Sequence, residues 1–419
     1  MISFIKHTKD SIFLKIFLDF WSLFKSLYPS YDTDYYDEVV TKTLNCSNPK
    51  FGFMQFLCLC CGKDSRVIAH SCKSKLCLRC GRVKGEKFSH KIKNQLYPEI
   101  RYRHLTFTIP EQVRIIFYQN RQEKDIFNQF IQAGWSCVED LIQEVTGREL
   151  KCGGLATLHY VGRTYEYKPH LHFLIMDGGI DKETGEWVTL GEFPYPILHR
   201  SWKKQLLLML RDFDILNKWS DVFELIDKKY DVFVARIEES SLPKDSKPLI
   251  EYISKYLCRP QISQKRIKKY SAKYAEVEFE YRSHRTGRKE KEEIKAITFI
   301  GRMMQQIPPK GFQALRYFGL QSVKNRERTN RIISKAIGVL ALEEPPSEDI
   351  KKNSSVSPSY RDLVLLWWGS DPLRCRYCGT VMELVRIWHP IKGFVFNLFE
   401  QLFEKDIGPP GTLPAELFS

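Results

Sequence analysis

Apolar residues recur along this chain in two rhythms, one helical and one alternating. Between residues 11 and 24 (SIFLKIFLDFWSLF) the spacing is helical, with Lys15 and Asp19 interrupting the run. This predicts an amphipathic helix docked on the body of the protein. It is too short to span a bilayer, and no small-residue cleavage site follows it. Arg103 to Ile109 (RHLTFTI) reads as a strand ending at Pro110, and Glu111 to Val145 reads as helix in two pieces. Leu155 to Val161 and His170 to Met176 read as strands joined by a polar connection. Ser201 to Leu216 is helical, Asp231 to Ile237 a strand, and Leu249 to Cys258 a short helix stopped by Pro260. Thr298 to Thr329 reads as a helical, Arg-bearing segment. Strands and helices mixed in this way predict an α+β chain.

Charge narrows the function. Lys plus Arg number 65 against 50 Asp plus Glu, a net +15 over 419 residues. A balance of this sign favours polyanions, nucleic acid being the commonest, although a basic enzyme with another substrate has the same composition. No stretch is predicted to cross a membrane, so a cytoplasmic protein is expected, and its twelve cysteines are then thiols or metal ligands, not disulfides. Composition divides the chain into a lead-in (1–45), a cysteine-rich module (46–95), a mixed region (96–262), a basic region (263–340), and a linker and tail with a last Cys pair (341–419).

Cys58-x2-Cys61 and Cys77-x2-Cys80 are two knuckles, each able to clamp one side of a tetrahedral Zn²⁺ as in a zinc ribbon. Gly62 and Gly81 follow them and suit the tight turn that aims N–H groups at thiolates. Cys72 is a fifth candidate, Cys46, Cys60 and His70 are spare ones, and a second metal is compatible with the count. Cys375-x2-Cys378 has no following pair, and His389 is its one obvious extra ligand. Lys and Arg residues coat the module, as a DNA-binding surface requires, while a purely structural ribbon is the plainer reading.

His170 and His172 share one face of their strand. On a largely buried strand two imidazoles need partners, and a divalent metal supplies them; a satisfied core histidine is the alternative. His159, on the preceding strand, is a third-ligand candidate whose parity depends on the hairpin register. Tyr252 and Tyr256 lie one helical turn apart, with Lys255 and Arg259 on the same face. Packing tyrosines have this spacing too. The cations favour the other reading, in which they promote phenolate formation and hold a phosphate for a tyrosine nucleophile. Lys265, Arg266, Lys268, Lys269 and Arg316 are candidates for tracking a DNA backbone, the alternative being a solvated charged face.

With these residues assembled, the chain resembles the IS91-family transposases, two-tyrosine rolling-circle enzymes of the HUH superfamily. The resemblance rests on HSCKSKLCLRCG (70–81), RHLTFTIP (103–110), LHYVGRTYEYKPHLHFLIMDGG (158–179), EYISKYLCRPQI (251–262), IPPKGFQALRYFGL (307–320) and DPLRCRYCG (371–379). Leu78 stands where the family usually has proline, and Leu76 where bulkier or basic residues are common; neither removes a ligand. The resemblance implies an N-terminal zinc-ribbon-like module holding structural Zn²⁺, an HUH endonuclease domain with an antiparallel sheet flanked by helices, and a mainly helical, basic C-terminal region. The histidines would lie on the middle strand with the tyrosine helix packed over them. It further implies catalytic Mg²⁺ or Mn²⁺, with imidazole ligation better suited to Mn²⁺, and single-stranded DNA at transposon ends and target as partner. A 5′-phosphotyrosine intermediate on Tyr252 or Tyr256 would carry strand transfer, aided by Lys255. The alternatives are a rolling-circle replication initiator and a non-catalytic zinc-ribbon DNA-binding protein. Nothing in the sequence specifies an oligomeric state.

Overall fold

The computed structural model describes residues 3–4, 11–93, 95–97, 100–162, 164–191, 193–213, 235–238, 262–283, 286–322, 326–336, 361–362, 364–365 and 369–401. The chain is α+β, with its strands gathered into three sheets. Strand β1 (Ser3–Phe4) precedes helix α1 (Ile12–Leu27), which buries Phe13, Ile16, Phe17 and Phe24 on one face. Burying each such side chain contributes roughly 1.5–3 kcal/mol, so α1 docks as its pattern predicts. Helix α2 (Asp34–Leu44) starts where the Thr33 hydroxyl accepts from the Tyr36 N–H. Strands β2 (Phe53–Leu57) and β3 (Ser65–Ala69) form a hairpin, and α3 (Leu78–Lys93) leads out of the cysteine-rich module.

Strand β4 (Tyr102–Thr108), helices α4 (Glu111–Gln119) and α5 (Lys124–Thr146), strands β5 (Leu150–Val161), β6 (Tyr167–Asp181) and β7 (Trp187–Thr189), helix α6 (Tyr195–Asp212) and strand β8 (Ala235–Glu238) make up the central part. A three-stranded sheet follows, from β9 (Ile267–Ser271), β10 (Glu276–Arg282) and β11 (Lys289–Lys295), capped by helix α7 (Ala296–Met304). Strand β12 (Leu315–Gly319), helix α8 (Arg326–Ala336) and the hairpin β13 (Glu383–His389) with β14 (Gly393–Asn397) complete the described elements.

The central sheet runs β12-β5-β6-β4-β8, every neighbouring pair antiparallel, with β7 added beside β6. One face is apolar: Leu105 and Phe107 on β4 and Leu171 and Phe173 on β6 are fully buried. Helices α5 and α6 cover that face. Trp202 of α6 lies 4.8 Å from the Phe107 ring and donates its indole N–H to the Thr108 carbonyl at 2.8 Å. Gly134 lets α5 approach β6 closely, since a Cβ there would meet Phe173 Cε2 at 2.6 Å and Leu171 Cδ1 at 2.9 Å.

Two expectations change. The stretch from Thr298 to Thr329 is not one helical segment, and the basic region opens with three strands. Pro308 and Pro309 end α7's run, because proline cannot donate an amide to the helix, and Leu315–Gly319 then pairs with β5. The tail also returns to the N-terminal module. β13 pairs antiparallel with β2, giving a five-stranded sheet of order β1-β3-β2-β13-β14. No helix among the described residues is long and apolar enough to cross a membrane.

Candidate metal centres and active site

The register of the central sheet sets the histidines. His170 pairs with His159 on β5 and with Thr108 on β4; His172 pairs with Thr157 and Thr106. Cross-strand partners share a face, so β5 delivers His159 to the same side as His170 and His172. A β-bulge follows immediately, between His159 and Val161; such bulges re-aim side chains beside functional sites. One ring nitrogen from each of His159, His170 and His172 lies within 4.8 Å of the others. Nitrogens sharing a metal at bonds of roughly 2.1 Å sit about 3.0–3.5 Å apart, so modest ring rotations complete the set.

Hydrogen bonds fix which nitrogens face inward. His170 Nδ1 lies 2.7 Å from the Lys168 carbonyl, which only accepts, so Nδ1 carries the proton and Nε2 the lone pair. His172 Nδ1 lies 2.9 Å from His104 Nε2 and 3.2 Å from Thr106 Oγ1, so Nε2 is the nitrogen that would coordinate. Burial drives the His170 imidazole down to about 4 and pushes that of His172 well below its usual value. Both are therefore neutral at pH 7, the form a metal requires. The sequence reading passed over His104, which is buried. It lies two residues before Thr106 in RHLTFTI, on the face that the β4–β6 register turns toward the histidines.

The cysteines form two clusters, which corrects the pairing of the two knuckles around one zinc. Cys46, Cys72, Cys77 and Cys80 converge in one, and Cys58, Cys61, Cys375 and Cys378 in the other. In the first, the Cys46 and Cys72 sulfurs each lie 3.5 Å from that of Cys80. A disulfide would require about 2.05 Å, whereas tetrahedral zinc with Zn–S of about 2.3 Å separates sulfurs by roughly 3.8 Å. The spacing fits zinc. The physical reason for the split is local structure. Cys77 and Cys80 sit at the start of α3, with Gly81 inside the helix, while Cys58 and Cys61 sit on a loop where Gly62 takes φ +67°. The helix dipole at α3 also favours thiolates. Neither Cys60, which is exposed, nor His70 or His389 joins a cluster.

Helix α3 joins the first cluster to the central sheet. Just beyond its C-terminal end Leu96 and Tyr97 enter the sheet's core, and Gln95 accepts from the Tyr317 hydroxyl of β12 at 2.6 Å. Beside the cluster a cleft of about 610 Å³ is lined by Leu78, Arg79, Arg82, Ile262, Ser263, Gln264 and Lys265. Other cations nominated for DNA are engaged within the protein. Lys268 pairs with Glu280 at 3.1 Å, Arg266 reaches the Tyr165 hydroxyl at 3.4 Å, and Arg316 donates to Asn128 at 2.6 Å. Lys269 lies exposed on β9. Tyr252, Lys255, Tyr256 and Arg259 lie outside the described residues.

Two family models match the chain. Residues 16–109 match the IS91 "Transposase zinc-binding domain", and residues 153–329 match a model described as "Putative transposase". The class so defined is a zinc-binding transposase, a DNA-processing enzyme. The chain belongs to the IS91-type transposases. It is 25% identical over 367 residues to the "Transposase for insertion sequence element IS801" of Pseudomonas savastanoi pv. phaseolicola, covering 82% of each chain. It is 24% identical over 356 residues to the "Putative transposase y4qJ" of Sinorhizobium fredii (strain NBRC 101917 / NGR234), covering 81% of this chain and 86% of that one. No solved structure matches it.

Proposed function

We propose that the protein is a metal-dependent endonuclease that cuts single-stranded DNA at the ends of an insertion sequence and transfers the strand by rolling-circle transposition. The observation that carries this reading is the convergence of His159, His170 and His172 on the middle of an antiparallel sheet, with His104 and Thr106 supporting His172. Mg²⁺ or Mn²⁺ bound there supplies Lewis acidity to the scissile phosphate. The Tyr252 or Tyr256 hydroxyl attacks phosphorus, forming a 5′-phosphotyrosine as the P–O3′ bond breaks, and the departing 3′ oxygen takes up a proton. The second tyrosine then attacks another junction while the first end stays covalently held. Lys255 and Arg259 orient the phosphate. The phosphotyrosine conserves the phosphodiester bond energy, so the reaction needs no nucleotide cofactor.

Zinc at Cys46, Cys72, Cys77 and Cys80 anchors the start of α3 and sets the cleft walled by Arg79, Arg82 and Lys265. In this reading the cleft takes the DNA backbone on its way to the metal. The test is Mn²⁺ binding by electron paramagnetic resonance alongside nicking of single-stranded DNA carrying the element's own ends. His170→Ala and His172→Ala should lose both bound Mn²⁺ and nicking while keeping zinc. Unchanged nicking in both variants would remove the histidine centre from the mechanism.

A further inference from the structure

The cluster of Cys58, Cys61, Cys375 and Cys378 joins residues more than three hundred positions apart. The matched zinc-binding segment ends at residue 109, so it assigns no partner to Cys375 and Cys378. We propose that these four thiolates hold a second zinc ion, which clasps the C-terminal hairpin to the N-terminal module and is the more exchangeable of the two zincs.

The geometry is that of two matching knuckles facing each other. Cys58 Sγ lies 3.4 Å from Cys378 Sγ, and Cys61 Sγ lies 3.6 Å from both Cys58 and Cys375. These separations are again near those around a tetrahedral zinc and far from a disulfide. Each knuckle closes the same way: Gly62 N–H donates to the Cys58 carbonyl at 2.9 Å, and Gly379 N–H to the Cys375 carbonyl at 3.1 Å. Both glycines are left-handed, at φ +67° and +75°, a conformation that costs a residue with a Cβ. The Tyr377 N–H points at Cys375 Sγ at 3.4 Å, as amides around bound thiolates do.

Contacts outside the sulfurs hold the knuckles in register. Buried Asp64 accepts from the Arg376 backbone N–H at 2.9 Å and from its guanidinium Nη2 at 2.9 Å, and Met382 packs with Cys58 and Cys375. The β2–β13 ladder continues the same junction. The hairpin is thus held by more than metal, and zinc can leave without unfolding the module. Exposure sets the order of exchange. Cys46, Cys77 and Cys80 are all buried, whereas Cys378 is exposed on the outer side of the second cluster. An incoming chelator reaches that side first.

The full-length, zinc-loaded protein provides the test, with 4-(2-pyridylazo)resorcinol as chelator and iodoacetamide as thiol label. Zinc release should be biphasic, about one ion per chain in each phase. Peptide mass spectrometry after the fast phase should find Cys58, Cys61, Cys375 and Cys378 alkylated together, with Cys46, Cys72, Cys77 and Cys80 protected. The double variant Cys375→Ser/Cys378→Ser should lose one zinc, retain the other as evidence of folding, and expose Cys58 and Cys61 to label. Wild-type protein carrying one zinc, or co-labelling of Cys58 and Cys61 with Cys77 and Cys80, would overturn the proposal. So would immediate labelling of Cys375 and Cys378 before any zinc is removed.

Discussion

The same substitution at two helical glycines should change stability in opposite directions. Gly→Ala within a helix gains about 1 kcal/mol of propensity, because alanine loses less backbone entropy on folding. At Gly301 of α7 the new methyl would meet only Phe24 Cε2, at 3.6 Å, an ordinary contact. Gly301→Ala should therefore stabilise the protein by about 0.5–1 kcal/mol. At Gly134 of α5 the methyl would lie 2.6 Å from Phe173 Cε2 and 2.9 Å from Leu171 Cδ1. Neither neighbour can yield: both are fully buried, and Phe173 is wedged against Phe107 at 5.5 Å and Phe318 at 6.1 Å. Overpacking of this kind costs typically 1–3 kcal/mol, so the net effect is roughly 0–2 kcal/mol of destabilisation. The displaced residues alternate with His170 and His172 on β6, so Mn²⁺ affinity should fall with stability. Urea unfolding followed by hydrogen exchange resolved to α5 and β6 measures the first effect, and calorimetric Mn²⁺ titration the second. A Gly134→Ala protein stabilised as much as Gly301→Ala, with unchanged Mn²⁺ affinity, would refute the close approach of α5 to the histidine strand.

His104→Ala keeps all three candidate ligands but removes the ring that positions His172; calorimetry should show Mn²⁺ affinity reduced roughly 10–100-fold, not abolished. Burial depresses the His170 value to about 4 and pushes that of His172 well below its usual range, so neither ligand should make Mn²⁺ affinity fall between about pH 7.5 and 5.5; a loss near a thousandfold per unit beginning at about 6.5, as three ordinary imidazoles would give, would contradict this. For His170 the same depression means that metal-free protein keeps the stability of the neutral buried ring above about pH 6.5 and loses it as pH falls from there through about 4. Asp64→Asn should weaken the tail junction by about 1–2 kcal/mol, discounted because the Arg376 side chain is half exposed, and should speed proteolytic release of the hairpin.

Much of the central sheet was legible because its strands obey local rules. RHLTFTI and the run around PHLHF alternate, end at turns or prolines, and lie where β4 and β6 form. What local patterning lacks is register. Whether His159 faces His170 depends on a bulge after His159, and His104 gains meaning only once β4 lies beside β6. The cysteines fail for a related reason. Spacing identifies a knuckle but not its partner, and proximity in sequence suggested Cys77 and Cys80 for Cys58 and Cys61 when the partner lies in the tail. Charge misleads in the same way. The stretch from Lys265 to Lys289 reads as basic, yet β10 carries Glu276, Glu278 and Glu280, which form ion pairs with Lys295, Lys291 and Lys268, so that Lys268, a cation that looked available for DNA, is engaged within the sheet.

The central claim is that a tyrosine of this chain becomes covalently joined to a cut DNA end beside the histidine centre. Full-length protein, Mn²⁺ and 5′- or 3′-labelled single-stranded DNA bearing the element's own ends, resolved under denaturing conditions, test it directly. The account predicts an adduct that retains only the label downstream of the cut and maps by mass spectrometry to Tyr252 or Tyr256. The Tyr252→Phe/Tyr256→Phe double variant should abolish it. An adduct on another residue, or cleavage without any adduct in protein that retains its zinc, would contradict the account.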